Sequence, residues 1–268
     1  MRGRPASPQG LAPRLIAVDL DGTLVPQSGG VPDGVAEAVA RVTFHGAHVV
    51  AATGRSLSTT GPVAREAGMH EHAVVSNGAM LVTVDPETVI HAQTFDGGPL
   101  LEILRTRVPG ATFGVECPDG TFLTTQHFVD GGVSHHIREV SWEELTRDPV
   151  VRVIVRSYDH LEQGLGHATE GIDAHSIAFA VTDVAWLDMG IKGVTKATGL
   201  QHLCERLGID SSDVLAIGDS MNDLEMLDWA GYSVAMGSAR PAIQARADYV
   251  TGSEPGQGVI EVLDQLYR

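Results

Sequence analysis

Three short apolar runs that each end in polar residues constrain the fold more than any other feature of the sequence. They are RLIAVDL (residues 14–20), AHVVAAT (47–53) and DVLAIGD (213–219), and each is apolar on both faces, as strands buried in a parallel sheet are. Segments with helical periodicity follow them, such as VAEAVARVTFHG (35–46), which Gly46 ends. Alternating strands and helices imply right-handed crossovers. The sequence therefore predicts an α/β fold with a doubly wound, Rossmann-like parallel sheet.

The pattern changes near residue 83 and returns after residue 189. Between these positions, segments such as TFLTTQHF alternate apolar and polar residues, which is typical of half-exposed antiparallel strands. A helix is also predicted here, at about 159–169. We therefore predict a core formed by residues 14–82 and 190–268, an inserted α+β domain at 83–189, and a flexible lead at 1–13.

Composition narrows the possible function classes. The 34 acidic residues outnumber the 18 basic ones, so the formal charge of the 268 residues is −16, and such a field repels phosphate backbones. No apolar run reaches the roughly 18 residues that a membrane helix needs, and the N-terminus lacks the apolar core of a signal peptide. Cys117 and Cys204 provide no disulfide framework. We expect a cytoplasmic monomer or small homo-oligomer that binds neither nucleic acid nor membrane.

Polar side chains gather where the predicted strands end. In open α/β sheets, ligands bind beyond the carboxyl ends of the strands, so these side chains should meet at one edge. Taken singly, an Asp-Gly pair after a strand is usually a turn, and an Asp at a helix start is usually an N-cap. The combination is more specific than its parts. Its members are Asp19, Asp21, Thr53, Asp219 and Asp223, with Lys196 from the first turn of a later helix.

The charges of this group point to a cation beside an anion. Several carboxylates packed together repel one another strongly unless a cation is present. Oxygen ligands without nitrogen or sulfur favour Mg²⁺, which tends to bridge to a substrate phosphate. Only two of the 18 basic residues are lysines, Lys192 and Lys196, and lysine offers a compact point charge where arginine offers a planar fork. The residues alone predict a Mg²⁺ site next to a bound anion.

At these residues the sequence resembles the haloacid dehalogenase superfamily of phosphotransferases. DLDGTLV (19–25) is similar to its first motif, Thr53 to its second, Lys196 to its third and GDSMND (218–223) to its fourth. The long insertion resembles the α/β cap of the Cof-type hydrolases, called a class IIB cap. The likeness covers residues 14–268. One departure is Ala197, where Cof-type proteins usually have glycine after the lysine.

The resemblance implies roles for the main residues. Asp19 would attack phosphorus in line and form an aspartyl phosphate. Asp21 would protonate the leaving oxygen and later deprotonate the hydrolytic water. Thr53 and Lys196 would hold the phosphoryl oxygens, with Lys196 offsetting their developing charge.

The same resemblance implies a set of metal ligands. Asp19, Asp219 and the backbone carbonyl of Asp21 would hold Mg²⁺, with Asp223 close to the ion through water. Asn222 would orient the phosphoryl group.

Further substrate contacts remain open between alternatives. Asn77 and Gly78 match an Asn-Gly pair near the site of Cof-type members, but a plain turn explains them equally well. Arg55, after Gly54, either contacts substrate, braces the cap, or forms a salt bridge at a helix start. The twelve histidines show no zinc-type spacing. The candidate cap residues for leaving-group contacts lie in GGVSHHIRE: His135, His136 and Arg138.

These implications predict a Mg²⁺-dependent phosphatase that hydrolyses a small phosphorylated metabolite, with a sugar phosphate favoured. Pyridoxal phosphate, nucleotides and glycosyl-phosphoglycerate are competing substrates. A phosphomannomutase-like mutase would use the same aspartate nucleophile and is the main alternative. A ligand-binding protein without catalysis fits less well, because every catalytic position of the motifs is filled.

Overall fold

The computed structural model describes residues 5–126, 137–181 and 183–267. The chain divides into two compact units. The first unit comprises the chain up to Gly54, Thr60–Ile90 and the chain from Thr195 onward. The second comprises Arg55–Thr59 and His91–Val194.

Strands and helices alternate through the first unit, whereas strands dominate the second. The strands are β1 (Leu15–Val18), β2 (His48–Ala52), β3 (His72–Val75), β4 (Met80–Thr83), β5 (Thr88–Ala92), β6 (Thr112–Glu116), β7 (Phe122–Thr124), β8 (Ile137–Glu139), β9 (Arg152–Ser157), β10 (His175–Val181), β11 (Val184–Gly190), β12 (Val214–Gly218), β13 (Tyr232–Ala235) and β14 (Tyr249–Val250). The helices are α1 (Val35–Phe44), α2 (Leu57–Glu66), α3 (Gly98–Arg107), α4 (Trp142–Leu145), α5 (Lys196–Leu207), α6 (Leu224–Trp229), α7 (Pro241–Gln244) and α8 (Gln257–Leu263).

The first unit is built on an eight-stranded sheet in the order β14-β13-β12-β1-β2-β3-β4-β5. Neighbouring strands from β14 to β3 run parallel, and β4 returns antiparallel to β3. All four residues of β1 are fully buried, as expected for a central strand covered on both faces. The predicted α/β fold with a Rossmann-like core is confirmed.

Helix α1 shows how the crossovers cover this sheet. Val35, Ala38, Val39 and Val42 are buried, and their spacing puts them on one face of a helix. Such crossovers bring the carboxyl ends of β1, β2 and β12 to the same edge of the sheet.

The second unit contains a six-stranded sheet in the order β10-β11-β9-β6-β7-β8. Its strands pair antiparallel, apart from the parallel pair β7–β8. One face packs on α3 through a cluster that includes Leu101 and Val153. The adjacent residue Ile154 belongs to a separate cluster with Phe122 and Trp186. Because successive side chains of a strand point to opposite faces, the two clusters lie on opposite sides of the sheet.

The boundaries of the insertion differ from the predicted 83–189. The second unit starts at His91 and ends at Val194, because β4 and β5 extend the sheet of the first unit. It also includes Arg55–Thr59, from the segment that begins α2.

Two further segments had local predictions, the N-terminal lead and a helix of the insertion. Within the lead predicted as flexible, the Gly10 amide donates to the Gln265 carbonyl oxygen, and the Leu11 carbonyl oxygen accepts from the Tyr267 amide, both at 2.9 Å. The predicted helix at 159–169 is wrong, since only a 3₁₀ turn forms there, at Gly166–Thr169. Along the described residues, no helix combines the length and apolar character needed to span a membrane.

Candidate active site

Three predicted site residues directly follow parallel strands of the first unit. Asp19 follows β1, Thr53 follows β2 and Asp219 follows β12. The hydrogen bonds of the sheet continue beyond β1 and β2. The Asp19 amide donates to the Ile217 carbonyl oxygen at 3.0 Å, and the Thr53 amide donates to the Val74 carbonyl oxygen at 2.9 Å. The backbone of the sheet therefore fixes where these side chains begin.

Lys196 connects two of the predicted acids. It is the first residue of α5, and its Nζ donates to Asp19 Oδ1 and to Asp223 Oδ1, each at 2.6 Å. The side chain is 1% exposed. Burial lowers the pKa of Lys196, but the charges of Asp19 and Asp223 outweigh it and raise the pKa above its usual value. The ammonium therefore stays charged between two carboxylates.

Asp19 is buried and 4% exposed. Burial raises the pKa of Asp19 well above its usual value, the negative charge of Asp223 adds to this rise, and Lys196 opposes it. The carboxylate form, which a nucleophile requires, thus depends on positive charge close by.

A threonine of the first motif, Thr23, positions the side chain of Asp219. Its Oδ1 accepts a hydrogen bond from Thr23 Oγ1 at 3.0 Å, and burial followed by the charge of Asp223 raises its pKa. Gly22 has φ +87°, and a Cβ at this position would lie 2.6 Å from Asp219 Oδ2. The loop after β1 therefore requires glycine here, both for its conformation and for space.

Asp223 is fully buried and uses both carboxylate oxygens. Its Oδ2 accepts from the amides of Asp219 at 3.0 Å and Ser220 at 2.9 Å, while its Oδ1 accepts from Lys196. It therefore links the turn after β12 to the start of α5.

Three carboxylates come close enough to share a cation. Asp19, Asp219 and Asp223 each offer an oxygen, and these oxygens lie within 4.8 Å of one another. Asp21, the other predicted acid, is exposed two residues after Asp19 and forms a backbone bridge with Val25. The cluster is suited by its donor type to a hard divalent ion.

Four further predicted residues lie close together around these acids: Gly54, Asn77, Gly78 and Asn222. Asn222 Nδ2 donates to Asn77 Oδ1, and the Asn77 amide donates to the Thr53 carbonyl oxygen, both at 3.0 Å. A Cβ on Gly54 would lie 3.0 Å from Asn77 Oδ1. The structure thus brings together residues that the sequence separates by more than 140 positions.

The remaining candidates are placed elsewhere or lie outside the described residues. Arg55 is half-buried and begins the short segment that belongs to the second unit. Arg138 forms an ion pair with Glu144, with 2.8 Å between Nη1 and Oε1. His135 and His136 lie outside the described residues.

Two polar residues at the site were missed by sequence reasoning. Thr195 caps α5 in a capping box with Thr198, and Ser220 forms another with Asp223. Ser220 and Asp223 have the residue types and the spacing of three that mark such a box in a sequence, whereas Thr195 and Thr198 share only the spacing. Ala197, in place of the usual glycine, is buried in the hydrophobic cluster that contains Val74, so its methyl group has apolar packing.

Comparison with known proteins agrees with this arrangement. Residues 16–263 match the sequence model of a family described as haloacid dehalogenase-like hydrolase. YkrA of Bacillus subtilis is 27% identical over 259 residues, which cover 94% of this chain and 97% of YkrA. YcsE of the same organism, a 5-amino-6-(5-phospho-D-ribitylamino)uracil phosphatase, is 24% identical over 254 residues, which cover 93% of this chain and 94% of YcsE.

A solved structure shows the same fold. BT4131, a sugar phosphatase of haloacid dehalogenase subclass IIB, superposes with a TM-score of 0.75 at 22% identity, covering 94% of this chain and 98% of that one. The family match extends over most of the chain, and the relatives of similar sequence include a phosphatase of nearly the same length. The chain therefore belongs to the haloacid dehalogenase-like hydrolases, and within them it is a phosphatase.

Proposed function

We propose that this phosphatase is Mg²⁺-dependent and hydrolyses a small phosphorylated metabolite, with a sugar phosphate as the favoured class, through an aspartyl-phosphate intermediate. The observation that carries the proposal is the position of Asp19. It follows a central parallel strand, receives a hydrogen bond from a buried lysine, and lies beside Asp219 and Asp223. An aspartate nucleophile needs such surroundings, because positive charge keeps it ionised and offsets the charge that develops on the phosphoryl oxygens.

In the first step, a carboxylate oxygen of Asp19 attacks phosphorus, and the bond between phosphorus and the ester oxygen breaks. The exposed Asp21 donates a proton to the leaving oxygen, so the alcohol leaves neutral. Lys196 and Thr53 hold the transferring phosphoryl group during this step.

In the second step, Asp21 accepts a proton from water, and the water oxygen attacks phosphorus of the aspartyl phosphate. The bond between phosphorus and Asp19 breaks, which releases inorganic phosphate and restores the carboxylate. Asn222 orients the phosphoryl group through both steps.

The donor chemistry of the acid cluster supports Mg²⁺, because its atoms are hard carboxylate oxygens. We propose that Asp19, Asp219 and the Asp21 backbone carbonyl hold the ion. When bound, Mg²⁺ supplies positive charge at the phosphoryl oxygens. Asp223 would be close to the ion, and it acts through its hydrogen bonds to Lys196 and the turn after β12.

A phosphorylated sugar or sugar alcohol is the favoured substrate class for two reasons. YcsE acts on a compound with a phosphorylated ribityl chain, and BT4131, which shares the fold, is a sugar phosphatase. Both support a polyhydroxylated leaving group.

Phosphate release from a panel of phosphorylated metabolites tests the proposal. The panel includes sugar phosphates, sugar-alcohol phosphates, pyridoxal phosphate and nucleotides, each with Mg²⁺ or with chelator. We expect Mg²⁺-dependent release that is greatest with a sugar or sugar-alcohol phosphate and is lost in Asp19→Asn. Asp33→Asn, at an exposed position, is the matched control and should retain full activity.

Two results would contradict the proposal. Release that persists in Asp19→Asn would exclude the aspartyl phosphate, and release unaffected by chelator would exclude the metal. A sugar bisphosphate added to the panel separates hydrolysis from mutase activity, because only hydrolysis yields phosphate in proportion to substrate consumed.

A further inference from the structure

The segment Ser76–Gly78 joins β3 to β4 in an unusual conformation. Ser76, Asn77 and Gly78 all have positive φ, at 52°, 53° and 98°. Left-handed backbone costs about 1–2 kcal/mol at a residue with a side chain, although asparagine tolerates it better than most. An ordinary hairpin turn lies in solvent, whereas all three of these residues are buried. Such a conformation persists only where its surroundings determine it.

Neighbouring segments of the site surround this turn on three sides. The Asn77 amide donates to the Thr53 carbonyl oxygen, which fixes the turn to the end of β2. Gly78 packs against the start of α5 so closely that a Cβ would overlap the Thr195 carbonyl oxygen. A Cβ on Gly199 of α5 would likewise lie 2.9 Å from Gly78 Cα. The turn therefore forms the seat of the helix that begins with Lys196.

The third side is the contact between two asparagine side chains. Asn222 Nδ2 donates to Asn77 Oδ1 at 3.0 Å, and Asn222 Oδ1 accepts from Ser220 Oγ. The side-chain amide of Asn222 thus has a hydrogen-bond partner at each end, and the two partners together hold it in place. Ser220 in turn donates its amide to Asp223, which accepts from Lys196. A continuous set of hydrogen bonds thus runs from Asn77 to the lysine beside Asp19.

From this geometry we infer that Asn77 is a positioning residue, which fixes the orientation of the Asn222 side chain. It also supports the turn at Ser76–Gly78, and it does not itself bind substrate. The inference rests on the proposed function in one respect, since Asn222 is taken to orient the phosphoryl group. It replaces both earlier alternatives for Asn77, a plain turn and a direct substrate contact.

Substitution with glycine separates the side chain of Asn77 from its backbone. Asn77→Gly keeps the left-handed conformation available and removes only the acceptor of the Asn222 amide. We expect kcat to fall about five- to tenfold, the loss of roughly one hydrogen bond at the transition state, while KM changes less than about twofold, because ground-state binding is unaffected. A purely structural role would lower the amount of folded enzyme without changing the kcat of the folded fraction.

A double-mutant cycle with Asn222→Asp supplies the decisive comparison. Aspartate keeps the oxygen that accepts from Ser220 but removes the Nδ2 donor of the same hydrogen bond. Asn222→Asp also alters the contact of Asn222 with the phosphoryl group, so its own loss of kcat should exceed that of Asn77→Gly. Because the hydrogen bond between the two side chains is already absent in this background, adding Asn77→Gly should cause little further loss. If Asn77→Gly does not fold, Asn77→Asp tests the contact instead, because it keeps an oxygen that accepts from Asn222 Nδ2 in a residue that tolerates left-handed backbone. We expect its KM to stay within about twofold of wild type, whereas a carboxylate in direct contact with the substrate phosphate would repel it and raise KM.

Three results would overturn the inference: Asn77→Gly with wild-type kcat, a rise in KM that exceeds the fall in kcat, or losses that multiply in the double variant. Wild type and Asp19→Asn are measured in the same assay. Absence of phosphate release from wild type, or its persistence in Asp19→Asn, would count against the proposed function. If wild type releases phosphate and Asp19→Asn does not, a result that contradicts the expectation for Asn77→Gly counts against the role of Asn77 alone.

Discussion

Lys196 provides the positive charge nearest to the buried acids, and its chemistry depends on shape as well as charge. Its ammonium lies 2.6 Å from an oxygen of each of two carboxylates, one directly after β1 and the other in the turn after β12. An ammonium donates in three directions from one point, whereas a guanidinium is a wide planar fork. At a position that is 1% exposed, the larger group has no room to adopt the same geometry.

We therefore expect Lys196→Arg to lose activity although the charge is kept. Removing one preorganised donor at a developing charge typically lowers kcat by about 10²–10³-fold. Because the guanidinium would be displaced from the position of the ammonium, the kcat of Lys196→Arg should fall by nearly this factor. The measurement is kcat for phosphate release in the presence of Mg²⁺.

The chain offers a matched control in its only other lysine. Lys192 pairs with Asp173 at the surface and is 69% exposed, so Lys192→Arg should retain wild-type kcat. If Lys196→Arg kept activity within about threefold of wild type, positive charge alone would suffice, and the point geometry of the ammonium would be irrelevant.

Residues at strand ends were predictable from the sequence, because a buried strand is a strong pattern and its end is easily located. Asp19, Thr53 and Asp219 were found in this way. The partners of Asn77 were not, since the bond to Asn222 joins residues 145 positions apart, and no local pattern encodes that distance. In the sequence, Asn77 was visible only as part of an Asn-Gly pair, which matched one near the site of Cof-type members and was explained equally well by a plain turn.

At the level of elements, the parallel core followed from apolar runs, whereas the second unit was predicted less well. The helix expected at 159–169 is absent because glycines interrupt its periodic residues, and Gly164 adopts φ +67°, a left-handed conformation that ends helices. The insertion boundary was placed too early because of β5. This strand lies at the edge of the first sheet, and its exposed and half-buried residues resemble those of the strands beyond it.

The sheet of the second unit contains a buried group of charges on three neighbouring strands. Arg152 of β9 donates from Nε to Glu116 Oε2 of β6 at 2.6 Å and from Nη1 to Asp188 Oδ2 of β11 at 2.7 Å. Burial lowers the pKa of Arg152, but the two carboxylates outweigh this and raise it. Removing one member of such a buried group leaves the others without compensation.

We expect Arg152→Met to lower the free energy of unfolding by about 3–5 kcal/mol, measured by urea denaturation with tryptophan fluorescence. Trp186 reports locally, because it belongs to the same sheet. Arg246→Met removes an arginine that is 52% exposed and pairs with Asp228, so it should cost only about 0–1 kcal/mol.

Neutralising the carboxylates should recover part of the loss. We expect Glu116→Gln combined with Asp188→Asn to restore stability in the Arg152→Met background, because no buried charge then lacks a partner. Equal costs for Arg152→Met and Arg246→Met would show that the buried group contributes no more than a surface pair.

At the scale of the whole molecule, the charge is strongly negative, at −16 overall, and the acid cluster concentrates that imbalance inside the fold. Three carboxylates there face one lysine, and burial raises the pKa values of both Asp19 and Asp219. The arrangement is therefore unfavourable for folding without a cation, as is common where an active site requires a specific distribution of charge.

This imbalance predicts that Mg²⁺ stabilises the folded protein. An ion that binds only the folded state at 100 times its Kd adds about 2.7 kcal/mol to the free energy of unfolding, which corresponds to a rise in Tm of about 5–10 °C for a chain of this size. We expect thermal unfolding to show this shift with Mg²⁺ and to lose it with chelator.

Asp219→Asn separates the effect of the ion from the repulsion among the acids. Asparagine keeps the oxygen that accepts from Thr23 Oγ1 but removes one negative charge from the cluster, so the variant should be more stable than wild type in chelator and should respond little to Mg²⁺. Asp33→Asn, at an exposed position, should retain the full wild-type response. If Asp219→Asn kept that response as well, Mg²⁺ would be acting elsewhere on the acidic surface, and Asp219 would not be among its ligands.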